Sequence, residues 1–454
     1  MALSAEGLIH IAPADQGLHF PQDLPELLGE HQLAEGECLL FAHALPDHLA
    51  VWARHAGGGI DRIKLPAFGS SVVGRMGHTL RTIGHSDVPP NVDTLLREFD
   101  ASCGKPLASW LAQLGVRRAF LSAGTSLAAL PLDCCAALLE SGAPELIMLP
   151  SGAALGFTRG VRRPLPETLY LVTQADRDRF ATERMQSARG HVMVIVDPSR
   201  DLDFAPLEGA MVAAAHRTRQ LEVLDQDRLE AASLARVCGQ VDVLHVIGHG
   251  RFDDASPYRS GVAIGPLDAA DTLWSNGDIF SDVETPAGRL AVLSGCETGQ
   301  TRPNLVSEEV SLPAAFIAAG YAAVVASRWA VDDLSATLMM AELHRRWNAG
   351  GTSVAAALTA SRCWLRDMSR DDARTLVAGL ADTAAGALLA RADDCRRLCA
   401  GALELLEQEG ERPFANPLYW AAFFVAGDGA IAADSVDPRV PARRRRPAKR
   451  RKSQ

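Results

Sequence analysis

No stretch of about 20 continuous apolar residues occurs in this 454-residue chain, which excludes a helix spanning a bilayer. The nearest run, Ser311 to Ser327, is broken by Gly320 and reads as a helix running into a strand. Repeats of solenoid period are missing too, so no stacked helical array is expected. Neither a P-loop nor G-x-G-x-x-G occurs, which removes the two common nucleotide cradles. No secretory leader opens the sequence, and the nine cysteines are odd in number and follow no disulfide framework. Reduced thiols in a cytoplasm are the expectation.

The net charge of -10 makes the body acidic and argues against an overall nucleic-acid binder. Hydrophobic residues at 48% and charged residues at 22% are ordinary for a soluble globular protein of two or three domains. One stretch opposes the balance: Arg443-Arg-Arg-Arg446-Pro-Ala-Lys449-Arg-Arg-Lys452. It reads as a solvated disordered tail over 431–454, as a contact for nucleic acid or an anionic surface through counterion release, or as a site of self-cleavage.

Residues 1 to about 35 carry little pattern and read as an irregular arm. From Glu37 to about Pro66 alternation predicts antiparallel strands, with Gly57-Gly-Gly59 as a hairpin turn. Helices are expected over Ser70 to Ile83 and Val92 to Leu114. Thr168 to Val172 and His191 to Val196 read as strands, with helical segments at about 206–219 and 227–238. After Asp333 the chain reads as mainly helical, including one long helix from Asp371 to Gln408. A last strand is expected over Trp420 to Ala426. Strand and helix alternating with crossovers this long imply a largely parallel sheet. The division expected is 1–92, a smaller α+β N-terminal region; 93–430, an α/β domain; and the tail.

Three apolar runs each end at a residue able to do chemistry: Val241 to His249-Gly250, Leu290 to Cys296-Glu-Thr-Gly299, and Ala326 to Asp332-Asp333. Runs of this length read as buried parallel strands. Ligands meet open α/β sheets at the carboxyl ends of such strands, so His249, Cys296 and Asp333 are predicted at one edge. A cysteine in a Gly-flanked turn lies close to backbone N–H groups that can cradle an oxyanion, Gly250 and Glu297 among them. An imidazole nearby raises the thiolate fraction and later protonates the leaving amine. The plainer readings stand beside these. A cysteine after an apolar run is commonly a buried core thiol, and His245, mid-strand, reads as structural. Asp332 and Asp333 suit the N-cap of a helix starting at about Leu334, and equally a pocket for an Arg or Lys side chain. Glu308-Glu309 read as solvated. No metal site is expected, because His245 and His249 on a strand lack the helical ligand spacing.

The His-Gly box, Leu290-Ala-Val-Leu-Ser-Gly-Cys-Glu-Thr-Gly299, Trp329-Ala-Val-Asp-Asp333 and Asn416-Pro-Leu-Tyr-Trp-Ala-Ala-Phe423 together resemble the CHAT domain of the caspase-like cysteine peptidase clan, of which separase is a relative. The likeness covers roughly residues 93 to 428. It implies a caspase-like α/β/α sandwich, with His249 as base and Cys296 as nucleophile in the cleavage of protein substrates, without a cofactor. It implies a substrate-binding Asp333, beside Asp332, that holds a basic residue before the cut. An activating protein partner and a role in regulated proteolysis, defence or cell death are implied by family analogy, as is the alternative of a silent scaffold for binding or assembly. Arg328 departs from the family's usual apolar residue before the Trp, and is expected to alter the charge of the pocket.

Overall fold

A computed structural model describes residues 10–11, 18–19, 33–83, 92–123, 125–150, 154–159, 190–269, 271–283, 288–300, 310–384 and 392–433. Most of the N-terminal arm, the expected strand over Thr168 to Val172, Glu308-Glu309 and the basic tail from residue 434 lie outside these residues.

Among the described residues an 11-stranded sheet forms the spine. Its middle is parallel. Ala323–Ser327, Leu290–Ser294, Val243–Ile247, His191–Val196 and Gln220–Leu224 lie side by side in that order. The first four of these are buried at every position. Continuous apolar runs arise because both faces of the sheet are covered. The registers are level: Ile247 pairs with Ser294 and Val196 with Ile247, while Val292 pairs with Val325. Residues equally far past each strand therefore meet at one edge.

Phe423–Gly427 closes the other side of Ala323–Ser327 as an antiparallel strand. It starts three residues later than expected, because Pro417–Trp420 forms a helical turn capped by the Asn416 side chain. Beyond it follow Glu145–Leu149, Arg118–Ala123 and Glu37–Ala44, each parallel to the strand before it. The predicted hairpin, Leu49–His55 with Ile60–Leu65, completes this side. The N-terminal strands thus extend the same sheet. The α/β class and the mostly parallel sheet expected from sequence are those observed.

Helix boundaries follow local chemistry. Ser311 accepts the Ala314 N–H at 3.2 Å and starts Leu312–Ala319; Gly320, at φ 117°, ends it and turns the chain into Ala323–Ser327. Helical residues run from Val92–Phe99 through a π turn at Asp100–Gly104 into Lys105–Gln113. Where one helix was expected after Asp371, two are present, Arg370–Ala384 and Ala392–Gln408. Gln220–Leu224, between the expected helical segments, is a half-exposed edge strand with a weak apolar pattern. Among the described residues no helix is long and apolar enough to cross a membrane.

Candidate active site

His249 stands two residues past Ile247 and Cys296 two past Ser294, the pair of residues that register the two strands. The parallel ladder therefore carries imidazole and thiol to the same level. Both turns need glycine for this approach. A Cβ on Gly250 would lie 1.9 Å from the Cys296 carbonyl oxygen, and one on Gly295 would lie 2.1 Å from the Gly248 carbonyl oxygen. Gly248 N–H also donates to the Ser294 carbonyl at 3.1 Å, tying the turns together.

The Cys296 turn is held from behind by hydroxyls. Ser327 Oγ donates to the Gly295 carbonyl at 2.5 Å, and Thr298 Oγ1 donates to the Leu293 carbonyl at 3.1 Å. Ser327 N–H donates back to Thr298 Oγ1 at 3.0 Å. Glu297, between them, sits at φ 57°, a left-handed conformation unusual for a side-chain-bearing residue. Its N–H points at the Trp329 carbonyl, 3.4 Å away. Gly250 is placed differently. Ala263 N–H donates to the His249 carbonyl at 2.8 Å, which makes Gly250 and Val262 the non-hydrogen-bonded pair of their short antiparallel ladder. The Gly250 N–H thus faces away from that ladder, and it lies 3.3 Å from where a Gly295 Cβ would be.

A cavity at this edge joins His249, Cys296 and Asp333. Leu202, Ile247, Val331 and Ala336 give it apolar walls, and Glu208 is a further acidic lining residue. The half-buried thiol of Cys296 is 4.0 Å from the Val331 carbonyl. Burial pushes this thiol up, and the charges of Glu297 and Asp333 push the same way against that contact. His249 Nε2 faces Asp201 Oδ1 at 2.9 Å. Burial raises the Asp201 carboxyl, but hydrogen bonds from Ser199 and His249, and the His249 charge, hold it below its usual range.

Asp332 and Asp333 separate in role. Asp332 is exposed and accepts the Ser335 N–H at 2.8 Å, capping Asp333–Asn348. It is not among the residues lining the cavity. Asp333 does line it, and accepts the Phe204 N–H at 2.7 Å. Burial lifts the Asp333 carboxyl to about 6 against that hydrogen bond, helped by Glu208, Asp332 and Asp203.

Arg328 corrects an expectation. It does not touch the cavity's charge: its side chain is buried in the core, 2.6 Å from Asp133 and stacked 4.5 Å from the centre of the Phe424 ring. Asp133 also binds Arg362 at 2.6 Å, so one buried carboxylate serves two guanidinium groups. His245 is structural in placement, as expected, being fully buried mid-strand.

Sequence reasoning missed Asp201 and Glu208. Both follow His191–Val196, whose end is level with Ile247. The strand-end rule that found His249 and Cys296 applies to Asp201, while Glu208 lies inside the helix Ala205–Ala215, beyond that rule's reach. Buried Asp197 shapes this loop: its carboxylate accepts from Ser199 Oγ, Arg200 N–H and Leu202 N–H at 2.7–3.1 Å, turning Asp201 and Leu202 toward the cavity.

The family model for the CHAT domain matches residues 94–428. No curated protein matches the chain by sequence. Similar solved structures include two of the Saccharomyces cerevisiae separase–securin complex, each at 10% identity, with TM-scores of 0.48 and 0.49 over 88% and 89% of this chain. The chain spans only 30% of the length of the separase it matches. The Arg-specific cysteine proteinase gingipain R is similar at 8% identity and a TM-score of 0.36, over 74% of this chain and 76% of its own.

Proposed function

The chain belongs to the CHAT domain family, and on that premise we propose that it is a cysteine endopeptidase that cuts a protein substrate after a basic residue. One observation carries the proposal: His249, Cys296 and Asp333, distant in sequence, line one cavity at the level ends of parallel strands.

The chemistry divides among these groups. Asp201 holds His249 Nε2, which leaves Nδ1 for the thiol. His249 takes the Cys296 proton, and the thiolate attacks the carbonyl carbon of the scissile bond. The negative oxygen forms next to the Gly250 N–H, which faces away from its own short ladder; the Glu297 N–H is directed at Trp329 and is the weaker donor. His249 then gives its proton to the leaving amine as the carbon–nitrogen bond breaks. Water, deprotonated by His249, hydrolyses the thioester and restores the thiol. Asp201 stabilises the imidazolium that exists between these transfers. Asp333 binds the basic side chain of the residue before the cut, an ionic contact strengthened by the apolar walls.

The resting thiol is pushed toward its protonated form, which slows its reaction without abolishing it, so a protein partner that speeds cleavage belongs to the proposal. The test is mass spectrometry of new protein termini in cells co-expressing candidate substrates from neighbouring genes. Termini that follow Arg or Lys, present with wild type and absent with Cys296→Ala, are expected. New termini that persist in Cys296→Ala, or that follow no preferred residue, would contradict it.

A further inference from the structure

Glu208 is 1% exposed and lies in the first turn of Ala205–Ala215, yet it lines the cavity beside Cys296 and Asp333. Its Oε1 faces His245 Nε2 at 2.8 Å. No protein donor engages its Oε2 among the described residues. A carboxylate oxygen free of protein donors, on a side chain that lines a cavity, is poised for a donor that arrives with a ligand.

Behind it three buried histidines form a chain. His245 Nδ1 is 3.1 Å from His344 Nε2, and His344 Nδ1 is 2.9 Å from His216 Nε2. His216 Nδ1 has no partner. With all three rings neutral, two arrangements of protons satisfy every link. In one, each ring is protonated at Nε2 and donates toward Glu208, leaving a bare lone pair on His216 Nδ1. In the other, Glu208 is protonated, each ring carries its proton at Nδ1, and His216 ends in a buried N–H without an acceptor. Orphaned buried N–H groups are the rarer and costlier kind. Arg219 and Arg289 near His216 also favour the lone pair at that end. Burial and these cations hold the His216 imidazole down at about 3, and burial with neighbouring His245 and His216 holds His344 well below its usual value, so neither ring stores an extra proton. The chain therefore points an N–H at a carboxylate, and the helix N-terminus favours the same charge state.

We propose that Glu208 is a second cation-binding carboxylate of this cavity, acting with Asp333 to select a guanidinium side chain, and that the His245–His344–His216 chain positions it in its charged form. The assignment rests on the peptidase reading above and sharpens its substrate class to arginine. Two carboxylates on separate elements, Ala205–Ala215 and Asp333–Asn348, suit the planar fork of arginine donors better than the single point charge of lysine. A bound guanidinium also relieves the mutual repulsion of Glu208 and Asp333, and screens the Asp333 charge that disfavours the Cys296 thiolate.

The experiment measures the rate at which peptidyl acyloxymethyl ketones alkylate Cys296. Three probes differ only at the residue next to the ketone: arginine, its neutral isostere citrulline, and norleucine. For Glu208→Gln, which keeps an acceptor for His245, the arginine-to-norleucine ratio of rates is expected to fall tenfold or more. For Asp333→Asn, a residual arginine-over-citrulline preference of at least tenfold is expected, supplied by Glu208. This second variant keeps the test decisive if Glu208→Gln does not fold. An unchanged arginine-to-norleucine ratio in Glu208→Gln, or loss of all preference in Asp333→Asn, overturns the assignment and leaves the peptidase reading intact. Failure of every probe to label wild-type Cys296 overturns that reading and this assignment with it.

Discussion

A Cβ on Gly295 would lie 2.1 Å from the carbonyl oxygen of Gly248. The turn carrying Cys296 and the turn carrying His249 are therefore packed backbone against backbone, and any side chain between them must separate the two.

Gly295→Ala is expected to move these turns apart. Overpacking of this kind costs about 1–3 kcal/mol. Gly250→Ala, whose Cβ would meet the Cys296 carbonyl oxygen at 1.9 Å, should cost as much. Thermal unfolding measures the loss. Cleavage should fall further than stability does, because each substitution displaces base from nucleophile. Unchanged cleavage in either variant would show that the two turns need not touch.

Removing either member of the dyad separates chemistry from folding. Cys296→Ala abolishes turnover. His249→Ala lowers it about 10²–10⁴-fold, the range for loss of a positioned general base. Neither side chain is fully buried, so melting temperatures should stay close to wild type. Asp201→Asn should lower turnover less than His249→Ala, since it perturbs only the orientation and charge of the imidazole.

Asp333 sets the acid limb of activity. Its folded carboxyl titrates near 6, above the ordinary value. Cleavage after a basic residue should decline as pH falls through about 6, because the carboxylate is neutralised, and Asp333→Asn should remove that limb. Stability runs the opposite way. A carboxyl raised by folding contributes stability below its unfolded value and loses it as pH rises through its folded value. Asp333→Asn, which can still accept from Phe204, should stabilise the protein at pH 7–8 by up to about 3 kcal/mol, with little gain at pH 4. Denaturant titrations at the two pH values check the difference.

The site edge was legible in the sequence because parallel strands write their burial as unbroken apolar runs, and a polar residue at the end of such a run stands out. Val243–Ile247, Leu290–Ser294 and Ala323–Ser327 each announced the residue that followed. Glu208 was not legible. It lies within a helix whose apolar residues surround it, and only the His245 contact reveals its direction. Arg328 misled for the opposite reason: its place shortly before Asp333 suggested the cavity, whereas its side chain is buried against Asp133 and Phe424. Pairing of Glu37–Ala44 with Arg118–Ala123 joins segments about 80 residues apart, which no local pattern encodes.

The Asp133 cluster gives a stability test remote from the cavity. Asp133→Ala would leave Arg328 and Arg362 buried without their shared carboxylate. Burial raises the Asp133 carboxyl, but the two arginines outweigh it and hold the carboxyl below its usual range. Breaking such a buried pair from one side costs about 3–5 kcal/mol, and guanidinium unfolding should show it. A loss under 1 kcal/mol would mean that the two arginines find other partners.

The most direct measurement is the intact mass of the protein after exposure to a peptidyl acyloxymethyl ketone bearing arginine next to the reactive carbonyl. A single adduct is expected, mapped to Cys296, absent in Cys296→Ala and formed at least a hundredfold more slowly in His249→Ala. An adduct that forms equally fast without His249, or that maps to another cysteine, would contradict a His249–Cys296 peptidase site.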